Sequence, residues 1–175
     1  MIKLLDKEFS PYITEKEIQE RIYKMGKEIS EAYQDKNPLL VSVLNGAFMF
    51  SADLIRSLEI PVEITFIRVA SYDALKTTGK VREILGLKEN VFGRDILILE
   101  DIVDTGTTLE HLLESFRDLG PASIKVASLL HKPEAQEKSI QPDFVGFEIP
   151  NKFVVGYGLD YEGKGRELNE IYQLI

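Results

Sequence analysis

The chain has 175 residues, 44% hydrophobic and 29% charged, which suits one globular domain with a sizeable core rather than a disordered chain. A net charge of −8 excludes a basic footprint for nucleic acid, so any phosphate must be held by local groups and a metal. The absence of cysteine excludes disulfide and thiolate chemistry, residues 1–9 lack a signal-peptide core, and no run approaches the roughly 18 apolar residues that span a membrane, so no membrane contact and a cytoplasmic location are expected.

In chain order, Thr14-Glu15-Lys16-Glu17 has capping-box spacing. Ile18, Ile22, Met25, Ile29 and Tyr33 then recur at helical intervals, predicting an amphipathic helix over 15–34. Leu39 to Leu44 reads as a short apolar strand, turned by Asn45-Gly46-Ala47 into a helix that reaches about residue 58. Pro61 precedes a strand at 62–70, and the aperiodic, polar 71–83 reads as a long loop. Ile96 to Leu99 is the expected central strand, Thr107 to Leu119 a helix stopped by Gly120-Pro121, and Ile124 to Leu130 another buried strand. Short strands are expected at 143–149 and 152–157, broken by Pro150, and at 171–174. Strands alternating with helices predict a single-domain α/β fold, with one parallel sheet flanked by helices.

Chemistry concentrates in Ile96-Leu97-Ile98-Leu99-Glu100-Asp101-Ile102-Val103-Asp104-Thr105-Gly106-Thr107-Thr108. Four consecutive aliphatic residues describe a strand buried on both faces, and the acids fall where it is expected to leave the sheet, the rim on which open α/β folds bind ligands. Asp104 to Thr108 adds small residues, hydroxyls and backbone N–H groups at a helix N-terminus, a ready anion site. Acids for a metal and sugar hydroxyls beside a phosphate cradle point to a phosphorylated sugar. Neither G-x-G-x-x-G nor G-x-x-x-x-G-K-[ST] occurs, which sets aside a dinucleotide fold and a P-loop. Taken alone, Asp104 could be a plain helix N-cap and Lys132 a solvated strand-end side chain. His111 and His131 are too far apart in sequence and too lightly supported to propose a zinc site.

That segment resembles the phosphoribosyl-diphosphate (PRPP) signature of the type I phosphoribosyltransferases. The stretches Lys125 to Lys132 and Pro142 to Tyr161 resemble the hypoxanthine-guanine branch of that family, and the likeness runs from about Tyr12 to Leu174. The resemblance implies a type I phosphoribosyltransferase fold spanning 1–175, with a small base-binding hood and a mobile lid at 71–83 that includes Ser71 and Tyr72. It implies transfer of 5-phosphoribose from PRPP to a 6-oxopurine with Mg²⁺, in a homodimer or homotetramer. A PRPP- or nucleotide-sensing regulator on the same fold is the alternative. Asp104 would exchange a proton at purine N7. Glu100 and Asp101 would face the ribose hydroxyls and the metal, with Asp160 as a further metal acid beside the purine. Thr105, Gly106, Thr107 and Thr108 would hold the 5′-phosphate, while Asn45, Gly46 and Arg166 would meet diphosphate. Lys132 would donate to the purine O6, Phe153 would stack on the base, and the backbones of Lys152 and Val154 would read its edge. Much of the family has a Leu–Lys pair joined by a cis peptide where this chain has Leu44-Asn45; the lysine charge is absent there, and the expectation is that diphosphate is met through the backbone.

Overall fold

Thr14 caps the first helix, α1 (Glu15–Ala32), as its spacing predicts: the Glu17 amide donates to Thr14 Oγ1 at 3.3 Å, and the Thr14 amide donates to Glu17 Oε2 at 2.9 Å. Such a cap stabilises a helix by about 1 kcal/mol. The apolar stripe that follows is buried, with Ile18, Ile22, Met25 and Ile29 in the core. The computed structural model describes residues 1–69 and 84–175; the expected lid at 71–83, with Ser71 and Tyr72, lies outside the described residues.

The main sheet is built from β3 (Leu39–Leu44), β4 (Glu63–Val69), β5 (Ile84–Leu85), β6 (Asp95–Val103), β7 (Ser123–His131) and β8 (Phe144–Glu148). Their order across the sheet is β5-β4-β3-β6-β7-β8. The pairings from β4 to β8 are parallel, and β5 adds a two-residue antiparallel edge. Helix α2 (Phe48–Ser57) follows β3 and α3 (Thr107–Arg117) follows β6. Side chains alternate across β6: Leu97 and Leu99 join α1 and α2 in one core, while Ile96 and Ile98 join Leu109, Leu112 and Phe116 of α3 in the other. An unbroken aliphatic run is therefore what a strand between two helical layers requires.

One parallel sheet was the expectation, and the fold adds a second, antiparallel one. β1 (Ile2–Leu4), β2 (Lys7–Ile13), β9 (Val154–Val155) and β10 (Ile171–Leu174) assemble in the order β1-β2-β10-β9. This is the hood that the resemblance implies. The helical expectation to Leu119 stops at Arg117, and the expected 152–157 strand is reduced to Val154–Val155, because Gly156, Tyr157 and Gly158 all take positive φ. Among the described residues, no helix is long and apolar enough to cross a membrane.

Candidate active site

From β3 the chain proceeds to β4 on one side, and the later strands β6, β7 and β8 lie on the other. Strand order therefore reverses between β3 and β6, and in open parallel sheets ligands bind outside the carboxyl ends of the strands at such a point. Loop 45–47 leaves β3 there and loop 104–106 leaves β6. A cavity of about 290 Å³ at the end of β6 is lined by Glu100, Asp101, Asp104, Thr105, Gly106 and Thr108, among others.

The acid pair does not lie beyond the strand, as the sequence suggests, but inside its second half. Pairing of β6 with β3 ends at Leu99, opposite Ser42, whereas pairing with β7 continues from Glu100↔Ser128 to Val103↔His131. β7 outruns β3, so the acids are held rigidly on one edge and open to the crevice on the other. Glu100 is only 6% exposed, and burial, followed by the neighbouring Asp101 charge, pushes its carboxyl well above the usual range. Asp101 is pushed up to about 6, chiefly by burial; backbone N–H groups and Arg166 pull it down and Asp160 pushes it up. Its Oδ1 accepts from the Ile102 amide at 2.9 Å. Its other oxygen lies where a Cβ on Gly46 would stand, so loop 45–47 approaches the acid only because residue 46 lacks a side chain.

The turn after β6 sets aside the N-cap reading of Asp104. Gly106 is the N-cap of α3, in the left-handed region at φ 83°. Thr105 Oγ1 lies 3.3 Å from the Thr107 amide and 3.1 Å from the Thr107 hydroxyl. Asp104 is thereby released from capping, and its Oδ2 accepts from Lys132 Nζ at 2.8 Å. Lys132 is not a solvated side chain: it is 5% exposed, and its amide donates to the Val103 carbonyl at 2.9 Å just after β7 ends. A carboxylate and an ammonium thus meet at the ends of two adjacent strands. The Glu137 amide donates to the Thr105 carbonyl at 3.0 Å, closing the loop after β7 over this turn.

Asp160 and Arg166 face one another, with Nη2 to Oδ1 at 2.7 Å; Asp160 also accepts from the Gly163 amide at 2.6 Å. Arg166 donates to the Gly158 carbonyl at 2.6 Å. Gly158, at φ 98°, packs so closely on the Gly46 carbonyl that no Cβ fits, which seats the 156–166 segment directly on loop 45–47. The structure thus gathers Gly46, Asp101, Asp160 and Arg166 on one side, and Asp104 and Lys132 on the other. Of the three acids expected to serve a metal, Asp160 is engaged by Arg166, and among the described residues no three acid, histidine or cysteine side chains form one metal-holding cluster.

The remaining candidates are more dispersed. Val154 is buried in β9, while Lys152 is exposed and reaches Gln173 Oε1 at 2.8 Å. Phe153 is 44% exposed, with its ring edge-on to Tyr161 at 5.9 Å between centroids and tilted on Phe9 at 6.3 Å. The Leu44–Asn45 peptide is cis, and Asn45 Oδ1 accepts from Arg68 Nη2 at 2.9 Å. Arg68 carries no local sequence signal, because its link to Asn45 depends on strand register. His111 lies on the exposed side of α3, and His131 is buried with Nε2 3.3 Å from Gln136 Oε1.

Comparison with known proteins agrees with this geometry. A family model described as "Phosphoribosyl transferase domain" matches residues 13–162. The chain is 47% identical over 157 residues to a hypoxanthine-guanine phosphoribosyltransferase of Bacillus subtilis (strain 168), covering 89% of this chain and 87% of that one. It is 41% identical over 166 residues to the Dictyostelium discoideum enzyme of the same name, covering 92% of each. A crystal structure of a Bacillus anthracis hypoxanthine-guanine phosphoribosyltransferase superposes with a TM-score of 0.88 at 35% identity, covering 97% of this chain and 98% of that one. With its parallel sheet, its acid pair and its threonine-rich turn at the switch point, the chain belongs to the phosphoribosyltransferase family.

Proposed function

We propose that this chain is a purine salvage enzyme that transfers 5-phosphoribose from PRPP to hypoxanthine or guanine, giving the nucleotide and diphosphate. The observation that carries the choice of base is the Asp104–Lys132 contact at 2.8 Å. A 6-oxopurine presents a donor at N7 and an acceptor at O6, neighbours on one edge. The two side chains separate to receive that edge, with carboxylate to N7–H and ammonium to O6. Adenine offers an amine instead of the oxygen, and the Lys132 charge is left unmet.

The reaction follows from the same positions. The bond from the ribose ring carbon to the diphosphate oxygen breaks, and its electron pair leaves with diphosphate. Positive charge develops on the ring carbon, as in glycoside cleavage. Glu100 and Asp101 face the ribose hydroxyls, and their charge favours that cation. Purine N9 bonds to the ring carbon, and the N7 proton passes to Asp104. Thr105, Gly106, Thr107 and Thr108 hold the 5′-phosphate at the start of α3. Asn45 and Gly46, through their backbone, and Arg166 hold diphosphate. Phe153 stacks on the base, and the backbones of Lys152 and Val154 read its edge.

The buried Glu100–Asp101 pair, with Asp101 pushed up to about 6, fits a divalent cation that would relieve the burial of charge. Mg²⁺ is held by one or two carboxylates together with phosphate oxygens and water, so a three-acid protein cage is not needed. Bound by Glu100 and Asp101, with Asp160 on the purine side, it would neutralise diphosphate charge. The lid is assigned to 71–83, with Ser71 and Tyr72, and its role is to exclude water from the cation; the chain is one domain, 1–175, that forms a homodimer or homotetramer.

Diphosphate release from PRPP, measured with hypoxanthine, guanine, xanthine, adenine and uracil in turn, tests the reading. Hypoxanthine and guanine should react, only with Mg²⁺ present, and adenine should be at least roughly a thousandfold worse. Release that ignores the base, or full activity after exhaustive chelation, would overturn it.

A further inference from the structure

Among the described residues, the diphosphate side of the crevice carries a cation, Arg68, that the roles above leave unused. Arg68 lies near the carboxyl end of β4, in register with Leu44 of β3, so it leaves the sheet at the same rim as loop 45–47. Its Nη2 donates to Asn45 Oδ1 at 2.9 Å, and the next residue, Gly46, rests on the Asp101 carboxylate. A short chain of contacts therefore links the guanidinium to the acid pair.

Charge pairing sets Arg68 apart. Two other cations of the crevice each face a carboxylate, Lys132 on Asp104 at 2.8 Å and Arg166 on Asp160 at 2.7 Å. Arg68 meets no carboxylate within 4.0 Å among the described residues; the partner it has there is an uncharged amide. An amide oxygen orients a guanidinium without neutralising it. It also occupies one of five N–H donors, leaving a fork suited to phosphate oxygens.

We propose that Arg68 contacts the diphosphate leaving group, held in position by Asn45, and supplies at this loop the positive charge that Asn45 lacks. As the ring carbon–oxygen bond breaks, the departing oxygen gains the electron pair, and the guanidinium stabilises the charge that develops there. A planar fork serves this better than a point charge, since it grips two oxygens while keeping its bond to Asn45. The inference rests on the phosphoribosyl-transfer reading.

The test uses Arg68→Gln, Arg68→Lys and Asn45→Ala in the full chain. Binding of inorganic diphosphate with Mg²⁺ is measured by calorimetry, and KM is measured separately for PRPP and hypoxanthine. Arg68→Gln should weaken diphosphate and raise the PRPP KM by roughly 10–100-fold, the span for losing a hydrogen bond to a charged group. The hypoxanthine KM should stay within about twofold, and the diphosphate loss should shrink with added salt. Arg68→Lys should recover part of the affinity, and Asn45→Ala should lose part of it. Wild-type diphosphate affinity in Arg68→Gln would overturn the assignment, as would equal losses for diphosphate and hypoxanthine with a lowered Tm. Wild-type affinity in Asn45→Ala would refute the positioning role. A wild-type chain without hypoxanthine-dependent diphosphate release defeats the functional reading itself; an active wild type with a silent Arg68→Gln defeats only this inference.

Discussion

Gly46→Ala isolates the packing of loop 45–47 on the acid pair. Gly46 is not among the glycines with positive φ, so alanine meets no backbone penalty there. Its Cβ, however, would overlap Asp101 Oδ2 and lie 3.2 Å from Asp101 Cβ, where ordinary contact begins at 3.4 Å. The carboxylate must therefore withdraw by more than about 1 Å, a displacement that typically costs about 10²-fold in rate when it disturbs a reacting group. Asp101 is half-buried, and its Oδ1 is fixed by the Ile102 amide at 2.9 Å, which limits how it can yield. Overpacking of this kind costs about 1–3 kcal/mol of stability. Steady-state kcat/KM for PRPP, with Tm as a control, reads both effects, and the expectation is a loss of about 10²-fold with a modest drop in Tm. Activity within a few-fold of wild type would show that the Gly46–Asp101 contact does not set the position of the acid.

Asp104→Asn should keep nucleotide binding and lose about 10²–10⁴-fold in kcat, since an amide cannot take the N7 proton; near wild-type turnover would reduce Asp104 to a partner for Lys132. Lys132→Gln, whose amide turns either way, should narrow the hypoxanthine-to-adenine ratio of kcat/KM mainly by slowing hypoxanthine, and an unchanged ratio would refute the pocket assignment. Burial holds Asp101 at about 6 in the fold, against 3.8 when unperturbed. Between those values the unfolded chain has released a proton that the fold retains, so ligand-free stability should fall as pH rises from about 4 to about 6 and level off above. Asp101→Asn should therefore raise the ligand-free Tm at pH 8 relative to wild type while leaving it nearly unchanged at pH 4; a uniform shift across that range would mean that charge burial is not the cause.

The legible part of the molecule is the part whose physics is local. Ile96 to Leu99 and the turn 104–108 declare themselves because burial on both faces and phosphate-binding turn chemistry are written in consecutive residues. The reach of β6 to Val103 is not local: it depends on how far β7 extends beside it. β2 was hidden because its alternation rests on only Phe9 and Ile13, with Pro11 between them, and its hydrogen-bonding partner is β10 at the far end of the chain. The Asp104–Lys132 and Asn45–Arg68 contacts join residues 28 and 23 positions apart, brought together by parallel register. No spacing rule along a single strand or helix reports such pairs, whereas the roles of Asp104 and Lys132 taken singly came from the family resemblance.

The strand order of the hood has a bearing on synthesis. β9, at Val154–Val155, has β10 as its neighbour in that sheet, and β10 in turn lies against β2, which precedes all the strands of the main sheet. A chain emerging from the ribosome can complete β3, β6, the acid pair and the threonine turn before residues 171–174 exist. On the proposed reading, the residues for ribose and phosphate are thus in place early, while the sheet that carries Val154 waits for β10, which inserts between two strands made before it. Truncation within 171–174 would therefore leave a product that still retains PRPP but has lost its discrimination among bases.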